Sequence, residues 1–113
     1  MRILIQTINT EPVLDISKAL NILFIGDVVA QSGVEFLQRK LGELKKKYKA
    51  DITVVNGENS ADGNGITKLS ARGIISAGAD VITTGNHCFQ RNDCGEVFEN
   101  EYIIRPANYP DGN

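Results

Sequence analysis

Three apolar runs, each closed by a glycine and then by polar, ligand-type residues, constrain this chain most. Residues 22–25 lead into Gly26-Asp27, residues 52–56 into Gly57-Glu58-Asn59, and residues 81–84 into Gly85-Asn86-His87. Runs of this length between turn residues read as strands buried on both faces of a sheet. Between the first two runs, Val34, Leu37, Leu41, Leu44 and Tyr48 fall at i, i+3, i+7, i+10 and i+14, one stripe of an amphipathic helix. Ser32-Gly33-Val34-Glu35 reads as the capping box that starts it. Between the second and third runs, Thr67 is placed to N-cap a helix reaching Ala77, with Leu69, Ile74 and Ile75 facing inward and Gly78 closing it. Residues 93–99 read as a short helix, and residues 102–104 as a fourth strand stopped by Arg105-Pro106. Alternating βαβ units of this kind predict an α/β fold with a mostly parallel sheet and right-handed crossovers.

Residues 1–20 do not share this grammar. Residues 1–8 read as a strand, Thr10-Glu11-Pro12 as a breaker, and residues 15–20 as one helical turn. The division expected is an N-terminal extension over 1–20 and a partial catalytic-type domain over 21–113. The N-terminal segment stands as an extension, an edge strand, or a consequence of where translation starts.

Composition narrows the function classes. With 113 residues and 42% hydrophobic content, the chain is one domain or part of one, and too apolar to be disordered. A net charge of −2 gives no field favouring nucleic acid. Lys45, Lys46, Lys47 and Lys49 suit the C-terminal end of a helix dipole. Cys88 and Cys94 lack CxxC spacing, and the single histidine cannot complete a zinc set with them, so both read as reduced thiols. No apolar run approaches the ~20 residues of a membrane span, and no signal-peptide core is present. The expected location is cytoplasmic.

The chemistry sits after the strands. In an open α/β sheet, ligands bind beyond the carboxyl ends of the strands, which is where all three boxes fall. Asp27 and Glu58 supply anionic oxygens, Asn59 and Asn86 amide oxygens, and His87 an imidazole. Mixed donors of this kind suit Mn, Fe or Zn better than Ca or Mg. Two such ions about 3.5–4 Å apart clamp a phosphate ester and activate a water for in-line attack. Taken singly, each residue has a plainer reading: Asp27 as a turn cap, Glu58-Asn59 as loop polarity, Asn86 as a turn residue, His87 as a hydrogen-bonded structural histidine. The repetition at three strand ends favours the site. Gly63-Asn64-Gly65 reads as a surface loop before a phosphate cradle, and Arg105 as a phosphate partner or a surface arginine in equal measure. A Rossmann-type nucleotide loop is disfavoured, because residues 26–33 lack G-x-G-x-x-G.

These residues carry a resemblance. Residues 22–29 (ILFIGDVV), Asn56-Gly57-Glu58-Asn59, Gly65-Ile66-Thr67, residues 82–87 (ITTGNH) and residues 105–110 (RPANYP) resemble the YmdB-type metallophosphoesterases, which are calcineurin-like dimetal phosphodiesterases. The resemblance spans about residues 21–112. It implies half of a four-layer αββα sandwich and hydrolysis of small phosphodiesters, including cyclic nucleotides. It implies Asp27 on the first of two divalent or trivalent transition-metal ions (Fe, Mn or Zn), Glu58 bridging both, Asn59 completing or orienting the first site, and Asn86 on the second. It implies His87 as general acid on the leaving oxygen, or as a stabiliser of phosphoryl charge. Where family members commonly carry an aromatic two residues after this histidine, Phe89 stands at that place. The family's later ligands are histidines, and this sequence has one histidine in all, so it is expected to hold the first part of the site and to be a truncated form. The alternative expectation is a non-catalytic homologue acting as a binding or oligomerising module. On either reading the exposed sheet is expected to favour a homo-oligomer.

Overall fold

The computed structural model describes residues 1–9 and 19–109. The element order is β1 (Arg2–Asn9), β2 (Ala19–Gly26), α1 (Ala30–Lys47), β3 (Ile52–Asn56), α2 (Lys68–Ala77), β4 (Val81–Thr83), α3 (Cys94–Val97) and β5 (Ile103–Ile104). One sheet runs β1-β2-β3-β4-β5. The pairs from β2 to β5 are parallel, with Ile25 beside Val55, Val55 beside Ile82, and Ile82 beside Ile103. Parallel pairing in sequential order brings the carboxyl ends of β2, β3 and β4 to one edge.

β1 is an antiparallel edge strand, paired with β2 from Arg2–Gly26 through Asn9–Ala19. Residues 2–9 are therefore part of the sheet. The same pairing corrects the expected helical turn over residues 15–20: Ala19 and Leu20 are strand, because the neighbouring chain extends the ladder beyond the local preference. The rest of that turn, and Thr10-Glu11-Pro12, lie outside the described residues.

The helices share one face, as right-handed crossovers in sequential strand order require. Leu23, Ile25, Val55, Ile82 and Ile103 from the strands meet Val34, Leu37, Leu41, Ile66, Ala71, Ile74 and Val97 in a single core. Leu44 and Tyr48 pack at its margin, completing the α1 stripe. The strands are buried on this face alone: Ile22, Phe24 and Val54 on the other are only half-buried. This corrects the expectation of strands buried on both faces.

Two helix starts contrast. At α2, Thr67 Oγ1 accepts from the Ser70 amide at 3.2 Å and Ser70 Oγ accepts from the Thr67 amide at 3.0 Å, a reciprocal cap with serine in the usual place of glutamate. Gly78 closes α2 at φ 113°, a left-handed position. At α1 the expected box at Ser32 does not form. The helix starts at Ala30, and Glu35 accepts instead from the Gln31 side chain at 3.3 Å. Its first amides are capped from the loop after β3: Asn59 O accepts from Ala30 N at 2.9 Å and Asp62 Oδ1 from Gln31 N at 3.0 Å. Thr67→Ala is accordingly expected to cost about 1 kcal/mol in urea unfolding, while Ser32→Ala leaves stability unchanged.

Leu69 is 74% exposed and not inward-facing, since Ser70, Ala71 and Ile74 define the buried face of α2; Ile75 is also exposed. The end of α1 carries Lys45, Lys46 and Lys47 as expected, and Lys45 Nζ donates to Gly78 O at 2.7 Å, joining the two helix ends. Among the described residues, no helix is long and apolar enough to cross a membrane.

Candidate metal centre

The loops after β2, β3 and β4 are knitted together before any side chain is considered. Val28 N donates to Asn56 O at 3.2 Å, and Gly57 N donates to Thr83 O at 2.9 Å. These bonds hold Asp27, Glu58-Asn59 and Asn86-His87 at neighbouring strand ends. Asp27 sits at φ 54°, a left-handed conformation that aspartate tolerates better than most residues. Such conformations persist where surrounding structure fixes them, often at functional sites.

Asn59 is the hub. Its Nδ2 donates to Asp27 Oδ1 at 2.9 Å, and its Oδ1 lies 2.6 Å from His87 Nδ1. The chemistry of the donors fixes the protons. A carboxylate only accepts, so the amide NH₂ must face Asp27 and the amide oxygen must face His87. His87 Nδ1 therefore carries a hydrogen, and in the neutral ring Nε2 presents its lone pair. The Asp27–Asn59–His87 relay thus selects one tautomer, the role second partners commonly play for ligating or catalytic imidazoles.

Glu58 approaches the same histidine from another side. Its Oε2 accepts from the His87 backbone amide at 3.3 Å and lies 3.9 Å from His87 Nδ1. Gly85 makes room for it: a methyl group there would stand 2.6 Å from the Glu58 carboxyl carbon. Cys88 is fully buried behind His87, and both cysteines are free thiols, as expected.

Asn86 is exposed, and its backbone carbonyl accepts from Tyr109 Oη at 3.2 Å. Tyr109 packs edge-on against Phe89, with ring centroids 5.0 Å apart, and Phe89 packs in turn on Phe98. Loss of solvent raises the Tyr109 hydroxyl above the usual phenol range, and the hydrogen bond to Cys88 and the charges of Cys88 and Glu58 add to the rise. The hydroxyl stays protonated and keeps donating. Tyr109 is a residue the spacing of the boxes does not point to. Its position in the run after Arg105-Pro106, at the same sheet edge, is the signal that finds it.

Of the five sequence-predicted residues, the structure therefore brings Asp27, Glu58, Asn59 and His87 into direct or adjoining contact and leaves the Asn86 side chain at the rim. Among the described residues, no three His, Cys, Asp or Glu side chains cluster closely enough to hold an ion. The donor set is instead carboxylate, amide and imidazole together, which in kind fits Mn, Fe or Zn. The Gly63-Asn64-Gly65 turn is not an open phosphate cradle: Arg91 occupies it, donating to Asn64 O at 2.7 Å and to Asp62 O.

The mostly parallel five-stranded sheet with its helices on one face is an α/β arrangement of the metallophosphoesterase fold. Residues 23–113 match the family described as YmdB-like protein, and the chain belongs to that family. It is 40% identical over 94 residues to a Bacillus subtilis protein named 2′,3′-cyclic-nucleotide 2′-phosphodiesterase, covering 82% of this chain and 36% of that one. A crystal structure of a Mycoplasma pneumoniae protein described as a novel phosphatase superposes with a TM-score of 0.75 at 35% identity, over 80% of this chain and 33% of that one. A hypothetical protein from Thermus thermophilus superposes at 0.74 and 37% identity, over 81% and 36%. The chain spans about a third of the length of these relatives.

Proposed function

We propose that this chain carries part of the site of a metal-dependent phosphodiesterase acting on small phosphodiesters such as cyclic nucleotides. The observation that carries the reading is the Asp27–Asn59–His87 relay, with Glu58 held under the His87 amide. The printed name of the Bacillus subtilis relative supports the substrate class.

In this reading Asp27 and Glu58 would hold the ions through carboxylate oxygens, and the Asn86 amide would add a donor from the rim. Two such ions, when bound, supply Lewis-acid polarisation of the phosphoryl oxygen and a water of lowered pKa. Asn59 acts on His87. It keeps the Nδ1 hydrogen engaged and aims Nε2 outward, so that a proton at Nε2 can pass to the leaving oxygen in general-acid catalysis. In the net hydrolysis the hydroxyl of water joins phosphorus, one P–O ester bond breaks, the departing oxygen takes a proton from His87, and the proton given up by the water returns His87 to its starting state.

With one histidine in 113 residues, the chain lacks imidazoles for a full second position. Hydrolysis of 2′,3′-cyclic AMP by the purified chain is therefore expected to be weak, to require Mn²⁺, and to vanish in His87→Ala. Mn²⁺ should selectively broaden the NMR signals of Asp27, Glu58 and Asn59. Uniform broadening across the chain, or turnover that survives His87→Ala, refutes the assignment.

A further inference from the structure

Arg91 lies four residues beyond His87, in a segment built of consecutive turns. Cys88 N donates to Gly85 O at 3.1 Å, Gln90 N to His87 O at 3.3 Å, and Cys94 N to Arg91 O at 3.1 Å. These turns run through the short segment that carries both His87 and Arg91. The guanidinium reaches away from this segment into the loop after β3. Its Nε donates to Asn64 O at 2.7 Å, and a terminal nitrogen donates to Asp62 O.

The turn it enters is shaped to receive it. Gly63, Asn64 and Gly65 have φ values of 78°, 72° and 82°, three successive left-handed residues that two glycines and an asparagine allow. Ala61 N closes the turn on Gly65 O at 2.9 Å. A Cβ at Gly65 would stand 2.9 Å from Arg91 Cγ, so the arginine stem lies directly on the glycine backbone. The turn starts just after Asn59 and Ser60. Its Asp62 carboxylate also caps Gln31 N, at the start of the helix that follows the Asp27 loop.

One guanidinium thus ties the segment bearing His87 to the segment bearing Asn59. We infer that Arg91 is a positioning residue: by clamping the Asp62 and Asn64 carbonyls it sets the separation across which Asn59 fixes the His87 tautomer. Arginine is required because two carbonyls are bound at once by a planar fork, and an ammonium delivers a point charge without that geometry. The consequence for catalysis rests on the phosphodiesterase reading, but the positioning itself does not.

The single histidine makes the test direct, because the chain gives one imidazole signal set. The ring ¹⁵N shifts and couplings of His87 are measured in the full chain across alkaline pH, and the tautomer ratio is read from their limiting values. The wild type is expected to show the Nδ1–H tautomer. Arg91→Lys keeps the stem over Gly65 and the charge, so it is expected to stay folded, with the Nδ1–H to Nε2–H ratio falling roughly fivefold, about what one net hydrogen bond is worth. A folded Arg91→Lys with an unchanged tautomer ratio overturns the inference. So does an unfolded Arg91→Lys, which would make Arg91 a folding residue instead. Absence of phosphodiester hydrolysis would overturn the proposed function and leave this readout untouched.

Discussion

Gly85→Ala is expected to destabilise the chain by about 1–3 kcal/mol, the usual range for forcing atoms into filled space, and to cost almost nothing when Glu58 is already alanine. Gly85 is not at a left-handed φ, so the backbone itself accepts a side chain there. The obstacle is the Glu58 carboxylate: an added Cβ would lie 2.6 Å from its carboxyl carbon and 2.7 Å from Oε1. Either the carboxylate moves or the strand end does. If Glu58 moves, it leaves the His87 amide it accepts from, and the position from which it would hold an ion is lost with it. A double-mutant cycle isolates this cause, because the two residues touch and their effects must couple. Urea unfolding of the wild type, Gly85→Ala, Glu58→Ala and the double variant gives the coupling energy. A coupling near zero would show that the glycine is needed for some other reason, and the steric account of the Glu58 cradle would fall. The same variant should lose the selective Mn²⁺ broadening at Glu58.

The parts of this fold that were legible in the sequence are those written in local pattern. The runs ending at Gly26, Asn56 and Thr83 are strands, and the stripe from Val34 to Tyr48 is the buried face of α1. The Thr67 cap was legible because both its partners lie within three residues of each other. The α1 cap was not. Ser32 and Glu35 have the right spacing, but Asp62 and Asn59, some thirty residues away in the chain, deliver better-placed oxygens two residues earlier. Ala19 and Leu20 were misread for the same reason, since a partner strand determined them. Leu69 obeys helical spacing but sits off the face that Ile74 defines.

The site divides along the same line. Residue type announced Asp27, Glu58, Asn59 and His87, because few side chains can ligate an ion or move a proton. Residue type was silent on Arg91, whose partners are backbone carbonyls and could belong to any residue. It was silent too on which of the four would touch: only the assembled sheet edge shows that Asn59 stands between Asp27 and His87.

Asp27 allows charge and backbone to be separated by experiment. At φ 54° it occupies a conformation in which asparagine is as comfortable as aspartate, while alanine is strained by about 1–2 kcal/mol. Asp27→Asn keeps a carbonyl oxygen facing Asn59 Nδ2, so the 2.9 Å bond and the His87 tautomer should survive. What it removes is the negative charge. Stability is expected to stay within about 0.5 kcal/mol of wild type, while Mn²⁺ affinity falls at least roughly tenfold, the lower bound seen when even a supporting partner of a metal ligand is lost. Asp27→Ala should lose affinity to a similar degree and, in addition, about 1 kcal/mol of stability from the strained φ. Calorimetric Mn²⁺ titration and urea unfolding of the three proteins read the two effects apart. Equal stability of the Asn and Ala variants would show that the left-handed turn is not held at that φ in solution. Unchanged Mn²⁺ binding by Asp27→Asn would remove Asp27 from the ligand set, and with it the reason for a carboxylate at the end of β2.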